Sequence, residues 1–84
     1  MKTRYRIQVT PHFSKHLKTL DKQTQMRILK QLTLLETDPY AGKALHGEWK
    51  GINSLRIGDY RILYTIKKDN IFLLTVDHRK TAYE

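Results

Sequence analysis

Two arginines, Arg56 and Arg61, flank a Gly58-Asp59 dipeptide, and two further basic groups, His78 and Arg79, stand together near the end of the chain. If Gly58-Asp59 forms a two-residue hairpin loop, Ile57 pairs with Tyr60, and counting back sets Arg56 directly opposite Arg61 on one sheet face. Like charges facing each other across a sheet are unfavourable by about 0.2–1 kcal/mol, and an anion held between them reverses that sign. Guanidinium groups match phosphate oxygens bidentately, and a histidine beside them can move a proton near neutral pH. The combination suits phosphodiester chemistry or phosphate binding. The blander reading of the same residues is a pair of solvated strand arginines and a structural or solvent-facing His78.

The placement of His78 rests on a second hairpin. Extending the count through a turn at Asp69-Asn70 puts His78 opposite Arg61, with Leu63, Phe72, Leu74 and Val76 filling the rest of that face. A three-residue loop there would invert the parity of the last strand.

The elements that must position these groups can be read in order. Arg4 to Val9 alternates apolar and polar residues, the period of a half-buried strand, and ends at Thr10-Pro11. Thr10 can cap a helix with Pro11 at its first position, where Phe13, Leu17 and Leu20 share a face. Asp21 is a second capping residue, and Ile28, Leu29, Leu32 and Leu35 form the apolar stripe of a helix from about Lys22 to Glu36, before Asp38-Pro39. The two helices are expected to form an antiparallel hairpin. From Pro39 to Gly51 no period is sustained, and Trp49 is expected to pin this crossing to the core. Three strand-like runs follow, Ile52 to Ile57, Tyr60 to Lys67 and Ile71 to His78. The expected fold is α+β: a small antiparallel sheet in the order β-α-α-β-β-β, packed against an N-terminal helical hairpin.

The 84 residues, with no internal repeat, make one domain over residues 1–84 the expectation. Sixteen Lys and Arg against eight Asp and Glu leave a net charge of +8, which points to a polyanionic partner. A 39% hydrophobic content is too high for a disordered basic tail, and no apolar run is long enough to span a membrane. Without cysteine there is neither a disulfide framework nor a thiolate, and the basic N-terminus lacks the apolar stretch of a secretory signal, so a cytoplasmic location is expected. His12 and His16 have the spacing of a metal pair on a helix. With no third ligand and no HExxH glutamate beside them, no metal and no other cofactor is expected. Lys15, Lys18, Lys22, Arg27 and Lys30 read as solvated helix faces that would add salt-dependent affinity for RNA.

The stretch Leu55-Arg56-Ile57-Gly58-Asp59-Tyr60-Arg61-Ile62-Leu63-Tyr64, followed by Asp77-His78-Arg79-Lys80 and Tyr83, resembles the RelE/ParE superfamily of toxins from type II toxin–antitoxin systems. The resemblance covers nearly the whole chain, and its specific part is the "LR-hydrophobic-GDYR" segment with "HR" near the C-terminus. For the RelE branch, which is favoured, it implies a ribosome-dependent, metal-independent endoribonuclease that cuts mRNA by attack of the RNA's own 2′-hydroxyl and so inhibits translation. Carried over residue by residue, it implies Arg56 and Arg61 as phosphate clamps, Arg79 as stabiliser of transition-state charge, and Tyr83 or His78 as the proton-transfer group. Tyr83 also reads as a residue that only covers a sheet edge. The implied partners are a cognate antitoxin protein, the ribosome and mRNA, with neither a membrane nor a small-molecule cofactor. Asn53-Ser54 departs from the pattern, standing where many relatives carry an aromatic and a basic residue. A ParE-like DNA gyrase inhibitor with no enzymatic activity, and a non-toxic basic RNA-binding module, are the rival readings.

Overall fold

The Thr10 hydroxyl accepts a hydrogen bond from the Phe13 N–H at 3.2 Å and itself donates to the Leu73 carbonyl at 2.6 Å, so one residue ends a strand, starts a helix and ties both to a distant strand. The computed structural model describes residues 4–78. Its elements are β1 (Arg6–Val9), α1 (Pro11–Leu17), α2 (Lys22–Leu32), β2 (Lys43–Ala44), β3 (Asn53–Ile57), β4 (Tyr60–Lys67) and β5 (Asn70–His78). The strands form one five-stranded sheet in the order β1-β5-β4-β3-β2.

The α+β class is as expected, and the strand arrangement differs from the expectation in two ways. β1 lies parallel to β5, Arg6 opposite Asn70 through Val9 opposite Leu73, so the sheet is mixed. The helices carry the chain back over the sheet before β2 begins, which lets the first and last strands run the same way. The Pro39–Gly51 crossing also contributes a strand, β2, whose two residues Lys43 and Ala44 pair with Ser54 and Asn53. The second helix is α-helical only to Leu32, and Thr33–Glu36 tighten into a 3-10 turn.

Phe13 of α1, Ile28 and Leu32 of α2, and Leu35 pack with Ile57, Ile62, Tyr64, Ile71, Leu73 and Val76 of the sheet in one buried cluster. α1 packs along β5 and α2 against β3. Trp49 is half-buried and lies outside this cluster, contrary to expectation. The crossing is held instead by Tyr64, whose hydroxyl donates to the Pro39 carbonyl at 2.9 Å and accepts from the Gly42 N–H at 3.1 Å. Gly42 permits that approach, since a Cβ there would lie 2.6 Å from the Tyr64 hydroxyl and 2.7 Å from the Ser54 carbonyl oxygen.

Candidate phosphate-binding and active site

Gly58 adopts φ 61°, the left-handed conformation that the first position of a tight hairpin loop requires. Ile57 therefore pairs with Tyr60 and Arg56 with Arg61, as the sequence implies. Arg56 is exposed and Arg61 half-buried. With Lys43, Leu45 and Ser54 they line a cavity of about 270 Å³ at the end of the sheet. Lys43 reaches it because β2 sets this residue opposite the buried Ser54, in the same line across the sheet as Leu63.

The second hairpin differs from the expected register, and with it the place of His78. Lys67 pairs with Asn70, which makes the loop Lys68-Asp69, one residue earlier than expected, with Lys68 at φ 56°. A β-bulge then interrupts the ladder: Tyr64 faces Leu73 and Leu63 faces Thr75, so Leu74 is passed over. Beyond it Ile62 faces Val76, Arg61 faces Asp77 and Tyr60 faces His78. His78 thus lies in line with Tyr60 on the core face, their ring centroids 5.4 Å apart, and away from the arginines. Val76, expected beside Leu63 on the arginine face, is a core residue, while Leu63 is itself buried. Phe72 and Leu74 are half-buried.

Asp77 takes the position expected of His78. One carboxylate oxygen lies 3.6 Å from Nδ1 of His16, and the other accepts a hydrogen bond from the Thr75 hydroxyl at 3.2 Å. The His16 ring in turn stands 4.2 Å, centroid to centroid, from that of His12. Among the described residues no cluster of three or more His, Cys, Asp or Glu could hold a metal ion. Arg79, Lys80 and Tyr83 lie outside the described residues. The structure therefore brings together Arg56 and Arg61, separates His78 from them, and adds Lys43 and Asp77, which sequence reasoning missed.

Tyr64 links the site to the core. Burial pushes its hydroxyl above the ordinary tyrosine range, with the Gly42 hydrogen bond pulling the other way. As a neutral donor and acceptor it holds residues 39–42, immediately before Lys43.

Residues 7–83 match the family model described as the ParE toxin of the type II toxin–antitoxin system, parDE. The chain belongs to the ParE toxin family. Within the RelE/ParE superfamily it is similar to a chain of the toxin–antitoxin complex RelBE2 from Mycobacterium tuberculosis, with 30% identity and a TM-score of 0.84 over 90% of this chain and 99% of that one. It is similar also to a chain of the archaeal RelE-RelB complex from Pyrococcus horikoshii, with 27% identity and a TM-score of 0.79 over 94% of this chain and 99% of that one. A chain of the chromosomal ParDE system from P. aeruginosa shares the fold at 15% identity, TM-score 0.75, over 89% of this chain and 96% of that one. No curated protein matches the sequence. This ParE-family chain is accordingly a toxin of a type II toxin–antitoxin system, and among its described residues no helix is long and apolar enough to cross a membrane.

Proposed function

We propose that this ParE-family toxin acts as a RelE-like endoribonuclease that cuts mRNA on the ribosome and so arrests translation. The observation that carries this reading is the facing pair Arg56 and Arg61, joined by Lys43 around one cavity. Cations held against their mutual repulsion are a prepared site for a phosphodiester, whose negative charge grows as the 2′-hydroxyl attacks. Arg56, Arg61 and Lys43 neutralise that charge. Arg79 and Tyr83, next along the chain after β5, keep the charge-stabilising and proton-transfer roles that the resemblance implies. The ribosome contributes by fixing the RNA for in-line attack, which a small open site does poorly alone.

The partner that silences the toxin is a cognate antitoxin, as in the RelBE2 and RelE-RelB complexes. A net charge of +8 suits an acidic segment, and Met26 and Leu29 on α2, 69% and 48% exposed, offer it apolar contacts.

The match to the ParE family model favours a second reading, a DNA gyrase inhibitor without nuclease chemistry. Primer extension on messages from induced cells decides between them. Cuts inside reading frames on translated messages support the endoribonuclease, whereas intact messages with DNA damage and arrested gyrase overturn it in favour of the inhibitor.

A further inference from the structure

β1 accompanies β5 only as far as Leu73, and the chain then turns at Thr10 into α1. α1 packs along β5, and its His16 reaches Asp77. A single line therefore crosses the end of the sheet: His16 on α1, Asp77 on β5, Arg61 on β4 and Arg56 on β3. The bulge at Leu74 makes this line. With the Lys68-Asp69 loop and no bulge, Arg61 would face Val76, and Asp77 would turn to the core face.

We propose that Asp77 is the general base of the cleavage reaction and that His16 is its positioning residue. The inference rests on the endoribonuclease reading and names a group for the step which that reading leaves least supplied among the described residues. Asp77 is the carboxylate in the arginine line, and a phosphate held by Arg56 and Arg61 sets the adjacent ribose next to it. Its two oxygens are oriented by His16 and by the Thr75 hydroxyl, yet the side chain remains 32% exposed and retains acceptor capacity. Asp77 takes the proton of the 2′-hydroxyl. The 2′ oxygen forms a bond to phosphorus, the bond from phosphorus to the 5′ oxygen breaks with its electron pair leaving on that oxygen, and a proton drawn from water through the proton-transfer group of that reading completes the 5′-hydroxyl. The hydroxide left from that water takes up the proton that Asp77 releases, and the products are a 2′,3′-cyclic phosphate and a 5′-hydroxyl end.

The carboxylate is faced by Arg61 from β4 and by His16 from α1, with the His12 ring tilted against that of His16 at 4.2 Å and His78 next along β5. A glutamine at position 16 can offer the carboxylate an amide N–H in place of the imidazole, and so should keep Asp77 oriented.

The test uses single-turnover cleavage of ribosome-bound mRNA by wild type, Asp77→Asn, His16→Ala and His16→Gln, each with a matched unfolding midpoint. Binding is measured separately to the same complex carrying a 2′-deoxy residue at the cut. Asp77→Asn should lose about 10²–10⁴-fold in cleavage rate, the range for a general base, while binding the uncleavable RNA as tightly or more tightly. His16→Ala should lose about tenfold, in the range of orienting groups that act through another residue, and His16→Gln should recover most of it. If wild type cuts and Asp77→Asn cuts at the same rate or faster, Asp77 is at most a brake on phosphate binding and this proposal fails alone. A wild-type protein that does not cut overturns the endoribonuclease reading and this proposal together.

Discussion

Arg61 has Asp77, and not His78, as its register partner on β5. On its other side it faces Arg56, so the middle residue of the line lies between a like charge and an opposite one. The carboxylate offsets part of the repulsion between the arginines while their cavity stays open on the side of Lys43. A phosphate entering there meets an excess of positive charge, and the ribose next to it meets a carboxylate.

Tyr64→Phe should release residues 39–42 from the sheet. It strands the Pro39 carbonyl and the Gly42 N–H, so a loss of about 1–3 kcal/mol in denaturant unfolding is expected, together with slower cleavage as Lys43 loses its place. The wild type should also show an alkaline decline that the variant lacks. Burial raises the folded pKa above the ordinary 10.0, so the contribution is fully present below the unfolded value and is lost as pH rises through the folded one. Unfolding midpoints measured across that alkaline range check both effects.

Asp21 caps α2, its carboxylate accepting from the Thr24 hydroxyl at 2.6 Å and the Thr24 N–H at 3.2 Å, and these bonds hold its pKa below the ordinary 3.8. Its contribution is present above the unfolded value and lost as pH falls through the lower folded one. Asp21→Asn should keep the cap and flatten this acid limb, whereas Asp21→Ala should lower the melting temperature at neutral pH as well. Thermal melts at neutral and acid pH distinguish the two.

Lys68 occupies a left-handed position that suits glycine, at φ 56° in the loop between β4 and β5. Lys68→Gly should stabilise the protein by about 0.5–1 kcal/mol, the relief of Cβ strain less the extra chain entropy of glycine. Toxicity should be unchanged, since this loop is at the far end of β4 from Arg61. A chemical unfolding curve beside a growth assay checks both.

The neighbouring reading frame, co-expressed with this chain, should yield an acidic protein that copurifies with it and restores growth. Leu29→Asp should weaken that capture, because it adds an anion to an apolar contact that an acidic partner uses. A chain that is harmless alone and never copurifies with the neighbour would contradict the antitoxin assignment.

The legible parts of the site were those set by local chemistry. Gly58-Asp59 fixed the Arg56–Arg61 register, and Thr10-Pro11 and Asp21 marked both helix starts. The misplacement of His78 has two physical sources. A lysine takes the left-handed position of the second loop, where no glycine marks it, and the bulge passes over a leucine that reads like any other strand residue. Lys43 was hidden because a two-residue strand has no period to detect. Asp77 and His16 are 61 positions apart in the chain and meet because β1 is parallel to β5, a relationship of topology and not of local pattern. Tyr64 read as a core residue, and it is one, but the loop-anchoring role of its hydroxyl depends on where Gly42 lies.

The most direct measurement is the cleavage rate of ribosome-bound mRNA by Arg61→Ala, taken with the unfolding midpoint of the same preparation. Arg61 stands between a like and an opposite charge, so its removal should change stability by no more than about 1 kcal/mol. Cleavage should fall by about 10²–10³-fold, the usual loss when one group that neutralises transition-state charge is deleted. Cleavage retained at the wild-type rate together with a marked drop in midpoint would show Arg61 to be a structural arginine and would contradict its role at the phosphate.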